Sequence, residues 1–282
     1  MKLAFRKPRA IAPSVQLPHS NPDAHGHPQN CLNCGAALLG AYCHDCGQSA
    51  HTHRMSFKHF LLHDFVHGVW HLDKGFPATI KKAFVNPGKE IRAYLAGKRM
   101  GWFSILTTIV LILAVTGFLD AQQPEVPFET EDTQQIVDFM DAHAKWILLG
   151  SSLIFSLSSV VCFRRLRLNL SEHTIINAFF LIGVLVINLV DTLFGFLIED
   201  TGLVWMLVAA IYLTYAYYNA FRQAFSFGGW LWRYLTHWVF STLIVSVISL
   251  GGLSIYFAIT GKDKIYIKTS RPPAKHAPAT TH

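Results

Sequence analysis

The chain has 282 residues, of which 51% are hydrophobic and only 15% are charged. Soluble domains carry about a quarter of charged residues, and here the apolar residues are concentrated in long runs rather than scattered. This composition excludes an ordinary soluble domain, and the formal net charge of +7 lies in the segments between the runs.

The first 30 residues are basic, contain five prolines and have no continuous apolar core. A cleavable signal peptide needs such a core, so we expect none and predict a disordered arm over residues 1–30. The first membrane run would then act as the insertion signal.

The strongest local signal is the stretch "CLNCGAALLGAYCHDCGQ", which holds two Cys-x-x-Cys pairs, each followed by glycine. Two such pairs provide four thiolates for a tetrahedral Zn²⁺ and close a segment too small to have a core of its own. We predict a structural zinc ribbon over residues 31–50, with the glycines forming tight turns whose N–H groups face the sulfurs. The predicted ligands are Cys31, Cys34, Cys43 and Cys46.

Other interpretations of the cysteines remain open. A reducing cytoplasm disfavours disulfides. The gap between the two pairs is short for a rubredoxin-type iron site. A thioredoxin-like redox pair would need βαβ surroundings, which are not evident here. We expect His44 to be exposed rather than a ligand, and Cys162 to be a packing residue in an apolar run. A four-cysteine site has no open position for catalysis, so it points to partner binding. Because residues 31–50 contain no Lys or Arg, nucleic acid is disfavoured.

Four histidines follow at four-residue intervals, in "HFLLHDFVHGVWHLDKG". On a helix they form a polar face, opposite an aromatic and aliphatic face. One interpretation is a solvated stripe, and the other is a second metal site with Asp64 or Asp73 nearby, since imidazoles at i and i+4 can chelate. A desaturase-like enzyme needs more histidine clusters, and the later segments offer only His173 and His237, which look isolated. The ladder consists of His59, His63, His67 and His71.

Basic residues and apolar anchors alternate in the segment that precedes the first membrane run. This pattern predicts an amphipathic helical region over 51–101, with Gly75 ending the ladder helix and Pro87-Gly88 separating two short helices that lie in the interface of an anionic leaflet. The candidate contacts to a lipid headgroup or a partner are Asp73, Lys74, Lys81, Lys82, Lys89, Arg92, Lys98 and Arg99.

Five apolar runs are long enough to cross a bilayer, so we predict an all-α polytopic membrane protein. Residues 1–101 hold 13 Lys and Arg against 5 acids, whereas residues 120–145 hold one Lys against 7 acids. By the positive-inside rule the N-terminus is cytoplasmic, although the basic tail over 260–282, which we expect to be flexible, would then lie outside. The membrane domain covers 102–259, with spans near 102–119, 146–163, 174–198, 203–221 and 237–259.

Asp191 is the only acidic residue deep in a predicted span, and Asn188 lies one turn before it. A buried acid in a membrane is costly and is a functional candidate by default. It would support a small transporter or channel, but such a role is better supported by several polar groups, so a single polar contact between helices is the preferred interpretation.

The order of these features resembles a family of bacterial integral membrane proteins known only as a domain of unknown function. The resemblance rests on the double Cys-x-x-Cys ribbon, "HTHR" (51–54), "DKGF" (73–76), "NPGKEIRAYLAGKR" (86–99) and the membrane helices that follow. Family members often have proline soon after the GKR piece, and this chain has "GKRMGWFSILTT". The resemblance implies a zinc ribbon and an inner-membrane location, and it implies no reaction.

We therefore expect a multi-pass inner-membrane protein that acts as a binding or scaffold component for a protein partner or lipid at the cytoplasmic face. The sequence shows no nucleophile–base pair, phosphate loop or paired carboxylates, so an enzymatic function is disfavoured. The alternatives are a transporter or channel that uses Asp191 and a metal-dependent membrane enzyme that uses the histidine ladder.

Overall fold

The structure, a computed structural model, describes residues 30–50, 75–122, 143, 150–196 and 202–260. Residues 30–50, which we call the knuckle segment, contain two isolated antiparallel β-bridges. The regular elements of the other described ranges are helices. They are α1 (Gly75–Val85), α2 (Pro87–Leu95), α3 (Ile105–Asp120), α4 (Gly150–Cys162), α5 (Leu170–Gly195), α6 (Gly202–Phe221) and α7 (Phe227–Thr260).

Helices α1 and α2 are separated at Asn86, as the Pro87-Gly88 pair predicts. Pro87 occupies the first turn of α2, where its missing N–H costs nothing. Gly97 ends the same helix with a φ of +96°, and the Lys98 N–H bonds to the Ala93 carbonyl oxygen at 3.0 Å. This glycine cap turns the chain sharply toward α3.

Two capped helices lead the chain into the apolar bundle. The Ser104 hydroxyl accepts a hydrogen bond from the Thr107 N–H and begins α3. Asn169 and Glu172 form a reciprocal capping box at the start of α5. Helix α5 is the centre of the bundle, because 44% of its most apolar stretch is buried inside the protein, against 22% for α6 and 6% for α7.

The apolar helices alternate in direction. The Asp120 carboxylate at the end of α3 accepts a hydrogen bond from the Thr192 hydroxyl near the end of α5, so these two helix ends share one side of the bundle. Arg92 of α2 contacts the last turn of α6, so the end of α6 lies on the opposite side, with the knuckle segment. We call these the far side and the knuckle side.

Within the part of the chain that the structure describes, three helices, α5, α6 and α7, are long and apolar enough to cross a membrane, and this indicates a membrane protein. Helices α3 and α4 are apolar but shorter within the described residues, so the five-span count stays a prediction. Helix α7 begins at Phe227, ten residues before the predicted start of the fifth span, because Trp230 and Tyr234 pack into the bundle despite the two glycines that precede them.

Helices α1 and α2 are part of the bundle and pack against α5 and α6. Ala83 and Ile91 are fully buried. The Tyr212 and Tyr215 hydroxyls of α6 donate hydrogen bonds to the Ala83 and Val85 carbonyl oxygens at the end of α1, at 3.2 and 2.9 Å. One face of each amphipathic helix is therefore covered by protein.

Candidate metal centre and the groups around it

The four cysteines of the knuckle segment converge on one point. All four Sγ atoms lie within 4.8 Å of one another. The Cys31 and Cys46 sulfurs are 3.6 Å apart, the Cys34 and Cys43 sulfurs are 3.5 Å apart, and all four are free thiols. The structure thus brings together the four residues that the sequence singled out.

Each Cys-x-x-Cys-Gly unit folds in the same way. The Gly35 N–H bonds to the Cys31 carbonyl oxygen and the Gly47 N–H to that of Cys43, both at 2.9 Å. Both glycines have positive φ, +84° and +74°, which a residue with a Cβ rarely adopts. The predicted role of these glycines is confirmed. Antiparallel bridges flank the two turns, Asn30 with Ala37 and Tyr42 with Ser49.

Backbone amides favour the ionised form of two of the thiols. The Gln48 N–H lowers the pKa of Cys46 to about 7, and the Cys46 N–H lowers the pKa of Cys43. For Cys34, an N–H from Ala36 acts in the same direction, but partial desolvation and the three neighbouring thiols outweigh it and raise its pKa to about 12. Four sulfurs this close cannot all carry negative charge unless a cation lies among them.

This arrangement fits a metal ion. A Zn–S bond of about 2.3 Å in a tetrahedron requires sulfurs about 3.8 Å apart, which lies between the observed 3.5 and 4.8 Å. The turns also aim N–H groups at the sulfurs, as outer-shell donors do in thiolate sites. The four cysteines are therefore compatible with a metal centre, and four soft ligands suit zinc or iron.

The knuckle segment is fixed to the turn between α2 and α3. The buried Gln48 side chain donates from Nε2 to the Gly97 carbonyl oxygen at 2.8 Å and accepts at Oε1 from the Arg99 N–H at 3.0 Å. Leu32 packs directly over Gly97, where an added Cβ would lie 2.7 Å from the Leu32 Cδ1 atom. The "GKR" piece is thus the part of the chain on which the knuckle segment packs, a contact that the motif alone could not show.

The surface of the knuckle segment carries two large exposed side chains. Leu39 is 88% exposed and Tyr42 is 70% exposed, in the loop between the two cysteine pairs. His44 and Asp45 lie beside them, with His44 Nε2 3.2 Å from the Asp45 carboxylate and both side chains exposed. His44 is accordingly on the surface, as predicted.

The histidine ladder lies outside the described residues, and so does its possible role as a second metal site. The same holds for the acidic and basic residues that neighbour it. These residues are His59, His63, Asp64, His67, His71, Asp73 and Lys74. Gly75, which was expected to end the ladder helix, is itself helical and is the first described residue of α1.

The other basic candidates divide into exposed and engaged residues. Lys81, Lys89 and Lys98 are exposed. Lys82 donates to the Gly101 carbonyl oxygen at 2.7 Å and lies 4.3 Å from the centre of the Trp102 ring, while burial lowers its pKa. The Arg99 guanidinium lies 5.6 Å from the centre of the Tyr94 ring.

Arg92 has a definite structural task. Its Nη1 atom donates to the Asn219 and Ala220 carbonyl oxygens at 2.7 and 2.8 Å, and so it caps the end of α6. Unpaired carbonyls and the negative end of the helix dipole both favour a cation there. The interaction also holds α2 against α6, where an added Cβ at Gly88 would lie 2.3 Å from the Ala220 backbone nitrogen.

Asp191 lies on α5 four residues before the end of the helix, which the structure places at Gly195. The side chain is half-buried, and Asn188 is exposed. The acid is thus near the far side of the bundle and not at the middle of a span, because α5 begins and ends earlier than the predicted run.

A polar cluster joins four helices in the interior on the knuckle side. The Tyr217 hydroxyl bonds to Asn177 Oδ1, and His237 Nε2 lies 2.9 Å from the same hydroxyl. His237 Nδ1 lies 3.0 Å from the Ser158 hydroxyl. His173 Nδ1 lies 2.7 Å from the Ser159 hydroxyl, and both histidines are fully buried.

The prediction that His173 and His237 are isolated was wrong, because the fold brings them into this one cluster. The usable signal was periodicity. His173 and Asn177 lie one turn apart, as do His237 and Ser241, so each pair shares a helix face. Which helices those faces meet could not be read from apolar composition.

Comparison with protein-family models, curated proteins and solved structures found no match.

Proposed function

We propose that this protein is a multi-pass inner-membrane protein whose knuckle segment is a zinc ribbon, presented at the cytoplasmic face as a docking surface for a protein partner. The observation that carries the proposal is the pair of hydrogen bonds that join the Gln48 side chain to Gly97 and Arg99, which we call the Gln48 clamp. It fixes the four-cysteine cluster to a turn that leads within a few residues into the first apolar helix.

Zinc is the metal that best suits the cluster. Four thiolates in a closed tetrahedral set are typical of structural zinc sites, which supply folding energy and leave no coordination position for chemistry. The knuckle segment has few buried apolar side chains of its own, so a bound metal would supply the folding stability that a hydrophobic core supplies elsewhere. This supports a binding role over an enzymatic one.

The proposed contact surface is the loop that carries Leu39 and Tyr42. Both side chains are mostly exposed, and they lie three residues apart in one short loop, so together they offer an apolar surface to a partner. The knuckle segment contains no Lys or Arg, so attraction to nucleic acid or to an anionic leaflet is weak. A protein with an apolar pocket is the partner that this surface fits best.

The proposed orientation follows the charge distribution. On the knuckle side lie the basic residues of α1 and α2, Arg164, Arg165 and Arg167 after α4, and Arg222 after α6. The acid-rich segment 120–145 follows the far end of α3. The positive-inside rule then places the knuckle side in the cytoplasm.

The experiment is affinity purification of the full chain from native membranes, with three forms compared. The double variant Leu39→Ser with Tyr42→Ser removes the apolar surface and leaves the cysteines and the clamp intact. A matched control, Val239→Ser with Phe240→Ser, removes two exposed apolar side chains from α7. A partner specific to the ribbon is retained by the wild type and the control and is lost from the loop variant, with an unchanged zinc content.

Retention of the same protein by the loop variant would overturn the assignment of this surface. Absence of any protein that distinguishes the loop variant from the control would overturn the docking role.

A further inference from the structure

A cavity lies at the end of α6, and none of its lining residues belongs to the knuckle segment. It has a volume of about 300 Å³ and opens between the last turn of α6 and the first turn of α7. Its walls consist of two exposed polar side chains that carry N–H donors and of four aromatic rings. The lining residues are Tyr218, Arg222, Gln223, Phe225, Phe227 and Trp230.

Trp230 forms one wall of the cavity. Trp230 is only 3% exposed, and its indole Nε1 makes no hydrogen bond within the described residues. Its ring is held rigidly, stacked on Tyr234 with an interplanar angle of 11° and edge-to-face with Tyr218. The cavity therefore has a rigid aromatic wall against which an apolar part of a ligand can pack.

The electrostatics of the cavity favour an anion. The Arg222 guanidinium lies over the Tyr218 ring, 5.5 Å from its centre. The N-terminus of α7, a helix of 34 residues, adds its positive dipole end. Arg92 satisfies two terminal carbonyl oxygens of α6 that would otherwise repel an anion. None of the six lining residues is acidic.

The aromatic walls and the position of the cavity indicate that the anion is attached to an apolar group, such as an acyl chain. Helices α6 and α7 are both candidate membrane spans, and the cavity lies where one ends and the next begins. Tyr and Trp are typical of the level of the lipid headgroups. Arginine binds phosphate through several N–H donors at once.

We propose that this cavity binds a phosphate-bearing anion through Arg222 and Gln223, with the aromatic rings as its apolar wall, and that in the membrane this anion is the headgroup of an anionic phospholipid. The site is separate from the knuckle segment, and the proposal holds whether or not that segment docks a protein.

The test uses the full chain, purified in a neutral detergent, and a phosphatidylglycerol with a fluorescent acyl chain. Arg222→Gln removes the charge of an exposed residue and is expected to weaken binding about tenfold or more, the size of a hydrogen bond to a charged group. Gln223→Ala removes the other polar side chain of the cavity, which is also exposed, and is expected to weaken binding several-fold. The matched control is Arg165→Gln, since Arg165 is an exposed arginine on the same side of the bundle.

An equal loss for Arg222→Gln and Arg165→Gln would overturn the proposal, because it would show general attraction to positive charge. Unchanged binding by Arg222→Gln would overturn it as well. Binding of diacylglycerol as tightly as phosphatidylglycerol would contradict the role of the phosphate.

Competition by free glycerol phosphate separates the two sources of the anion. Competition only at millimolar concentration supports the lipid, since the acyl chains then contribute to binding. Competition as effective as that of the lipid would overturn the lipid assignment and assign the site to a soluble phosphate ester.

Discussion

The Gln48 side chain holds the Gly97 carbonyl oxygen at 2.8 Å and, through its other end, the Arg99 N–H at 3.0 Å. One amide thus joins the second cysteine turn to the loop that precedes the membrane bundle. Both bonds are formed by a side chain that is 5% exposed. The cysteine cluster is therefore positioned by the bundle and is not a freely tethered module.

Replacing Gln48 by Ala should loosen the knuckle segment. The change leaves a buried carbonyl oxygen and a backbone N–H without their partners, at a cost of about 1–3 kcal/mol. We expect faster amide hydrogen exchange over residues 30–50 and faster loss of metal to a chelator. His44→Ala, at an exposed position of the same segment, should leave both rates unchanged. Unaltered exchange in Gln48→Ala would show that the clamp is not what positions the cluster.

Gly88→Ala should prevent stable packing of α2 on α6. The added Cβ would lie 2.3 Å from the Ala220 nitrogen, and backbone atoms cannot move aside as a flexible side chain can. We expect a large fall in the yield of folded protein, because overpacking costs about 1–3 kcal/mol or more. Gly251→Ala is the control, since a Cβ added at Gly251 would have no neighbouring atom within 4 Å among the described residues. Equal yields for the two variants in size-exclusion chromatography would contradict the close approach of the helices.

Arg92→Lys should destabilise the bundle although the charge is kept. One arginine nitrogen bonds to two carbonyl oxygens at the end of α6, and lysine cannot reproduce the planar guanidinium in this half-buried position. We expect a loss of about 1–2 kcal/mol, measured as a lower melting temperature in detergent. Lys89→Arg, at an exposed position of the same helix, should have little effect. Equal melting temperatures for Arg92→Lys and Lys89→Arg would show that the cap contributes nothing to stability.

Tyr217→Phe tests the polar cluster. It removes the hydroxyl shared by Asn177 and His237 and leaves two buried polar atoms without that partner. Hydrogen bonds between membrane helices contribute about 0.6–2 kcal/mol, so we expect a loss of that size in thermal unfolding. Tyr215→Phe removes one exposed hydrogen bond, to the Val85 carbonyl oxygen, and should cost less. A smaller effect at Tyr217 than at Tyr215 would show that the cluster does not hold the helices together.

Much of this architecture could be predicted from local signals. The two Cys-x-x-Cys-Gly units specify their own turns, because each glycine has the positive φ that the turn requires. Long apolar runs become helices, and Pro87 separates α1 from α2. These features depend on neighbours in sequence, which a single chain displays directly.

The missed features all depend on contacts between distant segments. Gln48 looks like an ordinary surface residue in the sequence, yet it meets Gly97, 49 residues away. Arg92 was expected at a lipid or partner contact and instead caps a helix that ends more than 120 residues later. Apolar composition gives no register between helices, so neither pairing could be derived from it.

The proposed zinc ion is central to the docking role, and elemental analysis of the purified full chain tests for it directly. We predict one zinc per chain, lost in Cys34→Ser and in Cys46→Ser, and retained in Cys162→Ser, whose cysteine lies in α4 outside the cluster. A wild-type chain without zinc, or a Cys34→Ser variant that keeps its full zinc content, would contradict the prediction.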